Sequence, residues 1–528
     1  MMTPSPSTLW QRWVARSVIV LLVVVGCYEH LWVLGHVVFN SDEAIMLLQT
    51  KSILHGHFVS FYWGQFYGAG QPYVAAPLVA LLGSKAWALR CSGVVLAATA
   101  SFIVWRVAKR CIESQFLAAA IAALSFAIPS ASVVQLTYAY GFRPLTVLCV
   151  WLVILVAAKA SHDSNDSLWW WALLGLVAGV GWWSSPEIVW GYVPALLVIG
   201  PSWWTSRDWS LIARSTLATA LGFIAGACVW LWVTVTSHGA TLKPQAAPVG
   251  HLVRLKDFFV YVLPMVFGIR VPGSGAYTLH SALLTWVVYV AMLVALTASC
   301  VVALRRGGLA RALGITAAVS PVIFLLDPAT WYWQDGRYAI YLAPLYLVVL
   351  GIGLEALLAR RMENTQGSRS IIAAALVIGC MALGLMSFHA FEKSVPTTAW
   401  FAADDGATSA AQALVGHGVT AGWADYWLAY RLDAFSNGQL HLSAIPGDLD
   451  RVLSDRLITQ ARRPATWLFS GGGSGVAPSP EAMGPAGVKF GHFEHKLRAL
   501  GVSWRAQRVA GLWVIELDKV VNPRIFVS

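Results

Sequence analysis

The feature that most constrains this chain is a succession of near-continuous apolar runs between Ser17 and Phe391. A run of roughly 20 apolar residues matches the hydrocarbon thickness of a bilayer, and inside lipid the backbone must satisfy its own hydrogen bonds. Such runs therefore predict membrane-spanning helices, near 17–39, 86–108, 114–129, 144–160, 168–183, 186–200, 212–235, 279–303, 310–326, 338–358 and 370–391, about eleven in all. Hydrophobic residues make up 58% of the chain and charged ones 12%, whereas a soluble domain carries about 25% charged residues. Arg12 and Arg16 precede the first run as in a signal peptide, but the run is too long and lacks a small-residue cleavage site, so it reads as an uncleaved span.

The formal charge of +11 does not point to nucleic acid, because Lys and Arg gather in short loops between spans. When the spans alternate, Arg12/Arg16, Arg106/Lys109/Arg110, Lys159, Arg207/Arg214, Arg305/Arg306/Arg311 and Arg360/Arg361/Arg369 fall on one side. That bias predicts a cytoplasmic N-terminus. The opposite side receives the aromatic and acidic loops, chiefly 40–85 and 236–279, and everything after Glu392, so chemistry is expected outside the cytoplasm.

Residues 1–394 are thus expected to form the membrane part and 395–528 an extracytoplasmic α/β domain. In the tail, helices are predicted over Ala407–Val415, Ala424–Phe435, Leu449–Ala461 and 491–500. Strands are predicted over Val419–Trp423, Leu440–Ala444, Ala465–Phe469, 503–509 and 511–517. This alternation implies a mixed sheet. No glycine fingerprint links a strand to a helix there, which leaves nucleotide binding unsupported. All seven cysteines lie before Met381, so the tail has no disulfide framework.

The stretch with most chemical content is Asn40-Ser41-Asp42-Glu43-Ala44, two adjacent carboxylates at the end of the first span. Apolar positions at Ala44, Leu47, Leu48, Ile53 and Leu54 predict a short helix lying along the membrane interface, with Ser41 or Asp42 near its N-cap. Asp42 then either caps this helix or serves as a reactive acid. The aromatic run Phe58, Phe61, Tyr62, Trp63, Phe66, Tyr67 and Tyr73 suits either interface anchoring or sugar stacking. His55, His57 and His280 read as interfacial polar residues rather than metal ligands.

Asp42-Glu43-Ala44, Ile53-Leu54-His55-Gly56, Tyr67, Pro72-Tyr73, Pro77, Leu82-Gly83 and Ala88-Leu89-Arg90 come in an order that resembles the bacterial branch of GT-C glycosyltransferases. That branch is related to protein O-mannosyltransferases and lipid A aminoarabinose transferases. Asp335-Gly336-Arg337-Tyr338 with Pro344 extends the resemblance, which covers roughly 40–360. The tail segment Asp425-Tyr426-Trp427-Leu428-Ala429-Tyr430-Arg431 is also familiar but implies no chemistry.

The resemblance implies a GT-C-like polytopic fold in the bacterial inner membrane. It also implies transfer of a sugar from a polyprenyl-phosphate carrier to an envelope glycan, lipid or protein acceptor. Asp42 would be the general base and Glu43 would orient an arginine or a metal. Arg143, in the second outer loop, would partner the loop acids, and both Arg143 and Arg337 could hold the carrier phosphate or a lipid headgroup. Glu187, Tyr67, Tyr140, Asp335 and Tyr338 are candidates for the cavity. Residues 130–143 contain no acid, unlike the aminoarabinose transferases, so a divalent cation is left open. A diphosphate-linked glycan polymerase or ligase is the rival within the class, and a transporter the rival outside it. A transporter usually carries internal repeats, and this chain shows none.

Overall fold

The computed structural model describes residues 6–161, 168–206, 208–242, 248–334, 336–361, 366–444, 466–474, 477–519 and 521–526. The chain is a polytopic helical membrane protein with a C-terminal mixed α/β sheet. It divides into two compact units. The first comprises residues 1–33, 92–138 and 142–395, and the second comprises 34–91, 139–141 and 396–528.

Among the described residues, seven helices are long and apolar enough to cross a membrane, or nine if each of two bent pairs is one span. Fewer spans therefore qualify than the eleven expected. The helix over Leu168–Ser184 has only 17 residues, about 25 Å of rise against a hydrocarbon core of about 30 Å. Val189–Ser206 contains Pro194 and Pro201 and is not among the qualifying helices. The bent pairs are Gln115–Ala127 with Ser130–Thr137, at 64°, and Trp209–Gly226 with Cys228–Thr236, at 68°.

The first unit is built around a large apolar core that includes Val150, Trp151, Ile154, Phe324, Tyr341, Val348 and Ile352. Its longest helices turn apolar side chains outward. Leu283, Leu284, Val287, Val290 and Val294 on the helix Ala282–Arg306 are all exposed, which is a lipid-facing pattern. The short helix Leu168–Ser184 is held by glycine contact. A Cβ on Gly175 would lie 1.9 Å from the Thr219 carbonyl, and one on Gly222 would lie 2.1 Å from that of Ala172. Small residues four apart on both helices let the backbones touch.

In the second unit, helices α1 (Pro6–His36, of which it takes the last turn), α2 (Ser41–Leu54), α3 (Gly70–Leu82) and α4 (Ala86–Cys111, of which it takes the first) frame the acid pair. α3 lies within 40–85, the stretch expected to be an outer loop. In the tail, helices form over Asp405–Gly416, Tyr426–Phe435 and Phe490–Ala499. The strands are β1 (Ala421–Trp423), β2 (His441–Ser443), β3 (Thr466–Ser470), a small hairpin of β4 (Gly473–Ser474) and β5 (Ala477–Pro478), β6 (Trp504–Val509) and β7 (Leu512–Leu517). The main sheet runs β2-β1-β3-β7-β6. β1 pairs in parallel with β2 and β3, whereas β7 is antiparallel to β3 and β6. This is the mixed sheet expected, with boundaries shifted by a residue or two. The helix read over Leu449–Ala461 lies outside the described residues.

Period-two alternation explains the sheet. Trp467, Phe469, Trp513 and Ile515 point into one core, while Leu468 and Val514 point into another on the opposite face.

Candidate active site

The local sequence sets the geometry of the acid pair. Asn40, rather than Ser41 or Asp42, is the N-cap of α2. Its side chain accepts from the Glu43 amide at 3.0 Å while Glu43 Oε2 accepts from the Asn40 amide at 3.3 Å. This reciprocal capping box places Asp42 in the first turn, where the helix dipole favours a carboxylate.

The apolar side of α2 is covered by protein rather than turned to lipid. Glu43, Ala44, Ile45, Met46, Leu47, Gln49 and Thr50 are all buried. They share a core with Ala75 and Val79 of α3 and with Tyr430, Ala434 and Phe435 of the tail. The apolar face read as lipid-seeking is covered by protein, and only the tertiary fold supplies that cover.

The two acids have opposite surroundings. Glu43 is fully buried and forms a bidentate pair with fully buried Arg90, through Nε to Oε1 and Nη2 to Oε2, each at 2.7 Å. Glu43 Oε1 also accepts from the Ala139 amide at 3.2 Å. Arg90 donates onward to the carbonyls of Val37 at 2.8 Å and of Leu34 and Val38 at 3.3 Å, satisfying acceptors that the end of α1 leaves open. Glu43 does engage an arginine, but that arginine is Arg90 and not the Arg143 favoured from the sequence. Both Glu43 oxygens are committed to this network, which fixes the first turn of α2.

Asp42 is only partly buried. Its Oδ1 accepts from the Tyr426 hydroxyl, and the Tyr62 hydroxyl donates to its backbone carbonyl at 2.8 Å. Its Oδ2 has no hydrogen-bond partner among the described residues. A carboxylate held on one oxygen and open on the other can accept a proton from an incoming hydroxyl.

Around the pair, Tyr140 accepts from Asn40 Nδ2 at 3.3 Å, and Tyr67 packs at the edge of the α2 core. The segment 139–141 is clamped to α3 by Gln71, whose side chain accepts from the Gly141 amide at 3.0 Å. Gly141 has φ +92°, and a Cβ there would meet the Tyr62 ring at 2.7 Å, so glycine is required on both counts. In the aromatic run, Tyr62 and Tyr73 act as ties, the latter bonding both backbone groups of Val59, whereas Phe58 and Phe66 are exposed. His55 bonds the Lys51 carbonyl at 2.7 Å as a helix-end contact.

A second polar cluster lies in the first unit. Ser185 caps a short turn, Pro186–Ile188, that buries Glu187. Glu187 Oε2 accepts from the Tyr341 hydroxyl at 2.6 Å, and Tyr341 stacks parallel to Trp190. Arg143 starts the helix Arg143–Ala160, is buried, and donates to Gln135 Oε1 at 3.3 Å. The Arg337 guanidinium lies 4.6 Å from the centre of the Tyr332 ring. Glu187, Asp327, Arg143 and Arg337 are all near enough for their charges to act on buried Tyr338. Four sequence candidates, Arg143, Glu187, Arg337 and Tyr338, are thereby brought together, and Asp335 lies outside the described residues. Arg90, Gln135, Tyr341 and Tyr426 were not among the site candidates, although Arg90, Gln135 and Tyr426 lay in segments that had drawn notice. No group of three or more His, Cys, Asp or Glu among the described residues is arranged to hold a metal.

Comparison with known proteins adds the following. The model of the dolichyl-phosphate-mannose-protein mannosyltransferase family matches residues 70–233. No curated protein matches the chain. Among solved structures, ArnT from Cupriavidus metallidurans in the apo state aligns with a TM-score of 0.57 at 15% identity, covering 97% of this chain and 98% of that one. The same protein bound to undecaprenyl phosphate aligns with a TM-score of 0.56 at 13% identity, covering 94% and 97%. This chain therefore has the ArnT fold over nearly its whole length and carries, from the start of α3 into the helix Cys228–Thr236, a match to the mannosyltransferase family.

Proposed function

We propose that this protein is an inverting glycosyltransferase that moves a sugar from a polyprenyl-phosphate carrier to a hydroxyl of an envelope glycan, lipid or protein. The reaction takes place on the outer face of a bacterial inner membrane, with the N-terminus cytoplasmic. The observation that carries the reading is Asp42, a carboxylate at a helix start with one oxygen held and the other open, within a chain of ArnT fold. The fold neighbour's complex with undecaprenyl phosphate supports a carrier of that chemistry.

In this reaction the acceptor oxygen attacks the anomeric carbon opposite the carrier phosphate. Asp42 takes the hydroxyl proton as the new glycosidic bond forms. The C–O bond to the phosphate breaks, and polyprenyl phosphate leaves with the bonding electrons. A phosphate needs no proton to leave, only cationic stabilisation, for which we assign Arg143 and Arg337. Glu43 keeps the Asp42 turn in place through Arg90.

The test is Asp42→Asn in the full chain. Mass spectrometry of envelope lipids and glycans from cells with the wild-type gene should show a pendant sugar that cells without the gene lack. Asp42→Asn should lose that product, by about 10²–10⁴-fold if Asp42 is a general base. Undiminished product from the variant removes the base. Movement of substrate across vesicles without a covalent product would instead identify a transporter.

A further inference from the structure

The tail segment Asp425–Arg431 stood out in the sequence without an assigned role. In the structure, Asp425 caps the helix Tyr426–Phe435 by accepting from the Trp427 amide at 3.0 Å, which places Tyr426 at the first helical position. This helix lies parallel to α2 and is tied to it at both ends. Ser41 Oγ donates to the Tyr426 carbonyl at 2.7 Å, and Lys51 Nζ donates to the Ala434 carbonyl at 2.6 Å. Buried Tyr430, edge-on to Tyr426 with ring centres 5.4 Å apart, joins Ala434 and Phe435 in the shared core. Docking is thus secured without the Tyr426 hydroxyl, yet that hydroxyl is aimed at Oδ1 of Asp42.

We infer that Tyr426 is a positioning residue for Asp42, so that the C-terminal tail supplies part of the active site. A phenol on a short rigid side chain fixes the rotation of the carboxylate and occupies Oδ1, which makes Oδ2 the oxygen presented to the acceptor. Tyr62 supports the same orientation from the first outer segment, through the Asp42 carbonyl. The inference rests on the reading of Asp42 as base, and its test is independent of sugar transfer.

The experiment labels the full-length protein, in nanodiscs of phosphatidylethanolamine and phosphatidylglycerol, with a water-soluble carbodiimide and glycine ethyl ester. Modification of Asp42 is followed by mass spectrometry across pH. Carbodiimides react with the protonated carboxyl, and a carboxylate that loses a donor holds its proton more tightly. Tyr426→Phe should therefore move the half-labelling pH of Asp42 upward by about one unit, while exposed Asp208 stays unchanged. A variant with 3-fluorotyrosine at position 426 keeps the ring, strengthens the donor and should shift the midpoint downward. Unmoved midpoints in both variants overturn the inference, and the fluorinated variant preserves the test if Tyr426→Phe fails to fold. If Asp42→Asn still transfers sugar, the base reading fails while a labelling shift upholds the Tyr426 contact. If Asp42→Asn is inactive and the midpoints do not move, the positioning role fails alone.

Discussion

Glu43 in the second unit and Glu187 in the first, two of the buried glutamates, meet the cost of burial differently. Glu43 is fully buried against an equally buried Arg90, with bidentate contact and further backbone partners on both sides. Glu187 is also buried, but its side-chain donor is the neutral hydroxyl of Tyr341, and it has no ion-pair partner among the described residues. A buried carboxylate is expensive unless paired and fully hydrogen-bonded. The first arrangement cancels charge and fixes geometry, tying α1, α2 and α4 together at one point. The second leaves a charge uncancelled beside tyrosines and arginines, the arrangement expected where a ligand or a reaction makes use of the field. Acids of the same type thus serve structure in one unit and are available for function in the other.

The comparison can be broken most directly at Arg90. Arg90→Ala strands Glu43 without its counter-ion and opens the carbonyls at the end of α1. Thermal unfolding in detergent should show a loss of about 3–5 kcal/mol. A loss below about 1 kcal/mol would mean the pair is not structural. The double variant Glu43→Leu with Arg90→Met removes both charges and should recover much of that loss, because apolar replacement of a whole buried pair is often near neutral. Glu187→Gln should behave in the opposite way. It removes an unpaired buried charge while keeping an acceptor for Tyr341, so stability should change by less than about 1 kcal/mol, whereas product in the envelope assay should fall. A large loss of stability with full product would show that Glu187 is structural, like Glu43. The smallest effect is expected at Arg498, 74% exposed and paired with Glu494 one helical turn away. Arg498→Ala should cost about 0.3–0.5 kcal/mol, which sets the scale of a surface ion pair in this chain.

Much of this was legible in the sequence, for identifiable reasons. Apolar run length alone predicts a polytopic membrane protein, because lipid tolerates little else. Period-two alternation located Thr466–Ser470, Trp504–Val509 and Leu512–Leu517 to within a residue or two. The helix after Asn40 was also found, since its start is a local matter of capping, although the cap itself was placed one or two residues late, at Ser41 or Asp42. The span count was less legible, because an apolar run does not reveal how a bent pair or a 17-residue helix crosses.

What α2 packs against could not be read at all. An apolar face looks the same to a sequence whether lipid or protein covers it, and here the covering residues lie nearly 400 positions away, at Tyr430, Ala434 and Phe435. By itself the sequence determined that this is a membrane protein, where most strands of its tail fall, and which two adjacent acids deserve suspicion. Only the tertiary structure separated those acids. It gave Glu43 to Arg90 and Asp42 to Tyr426, because hydrogen-bond partners are chosen by distance in space, which the order of residues along a chain does not contain.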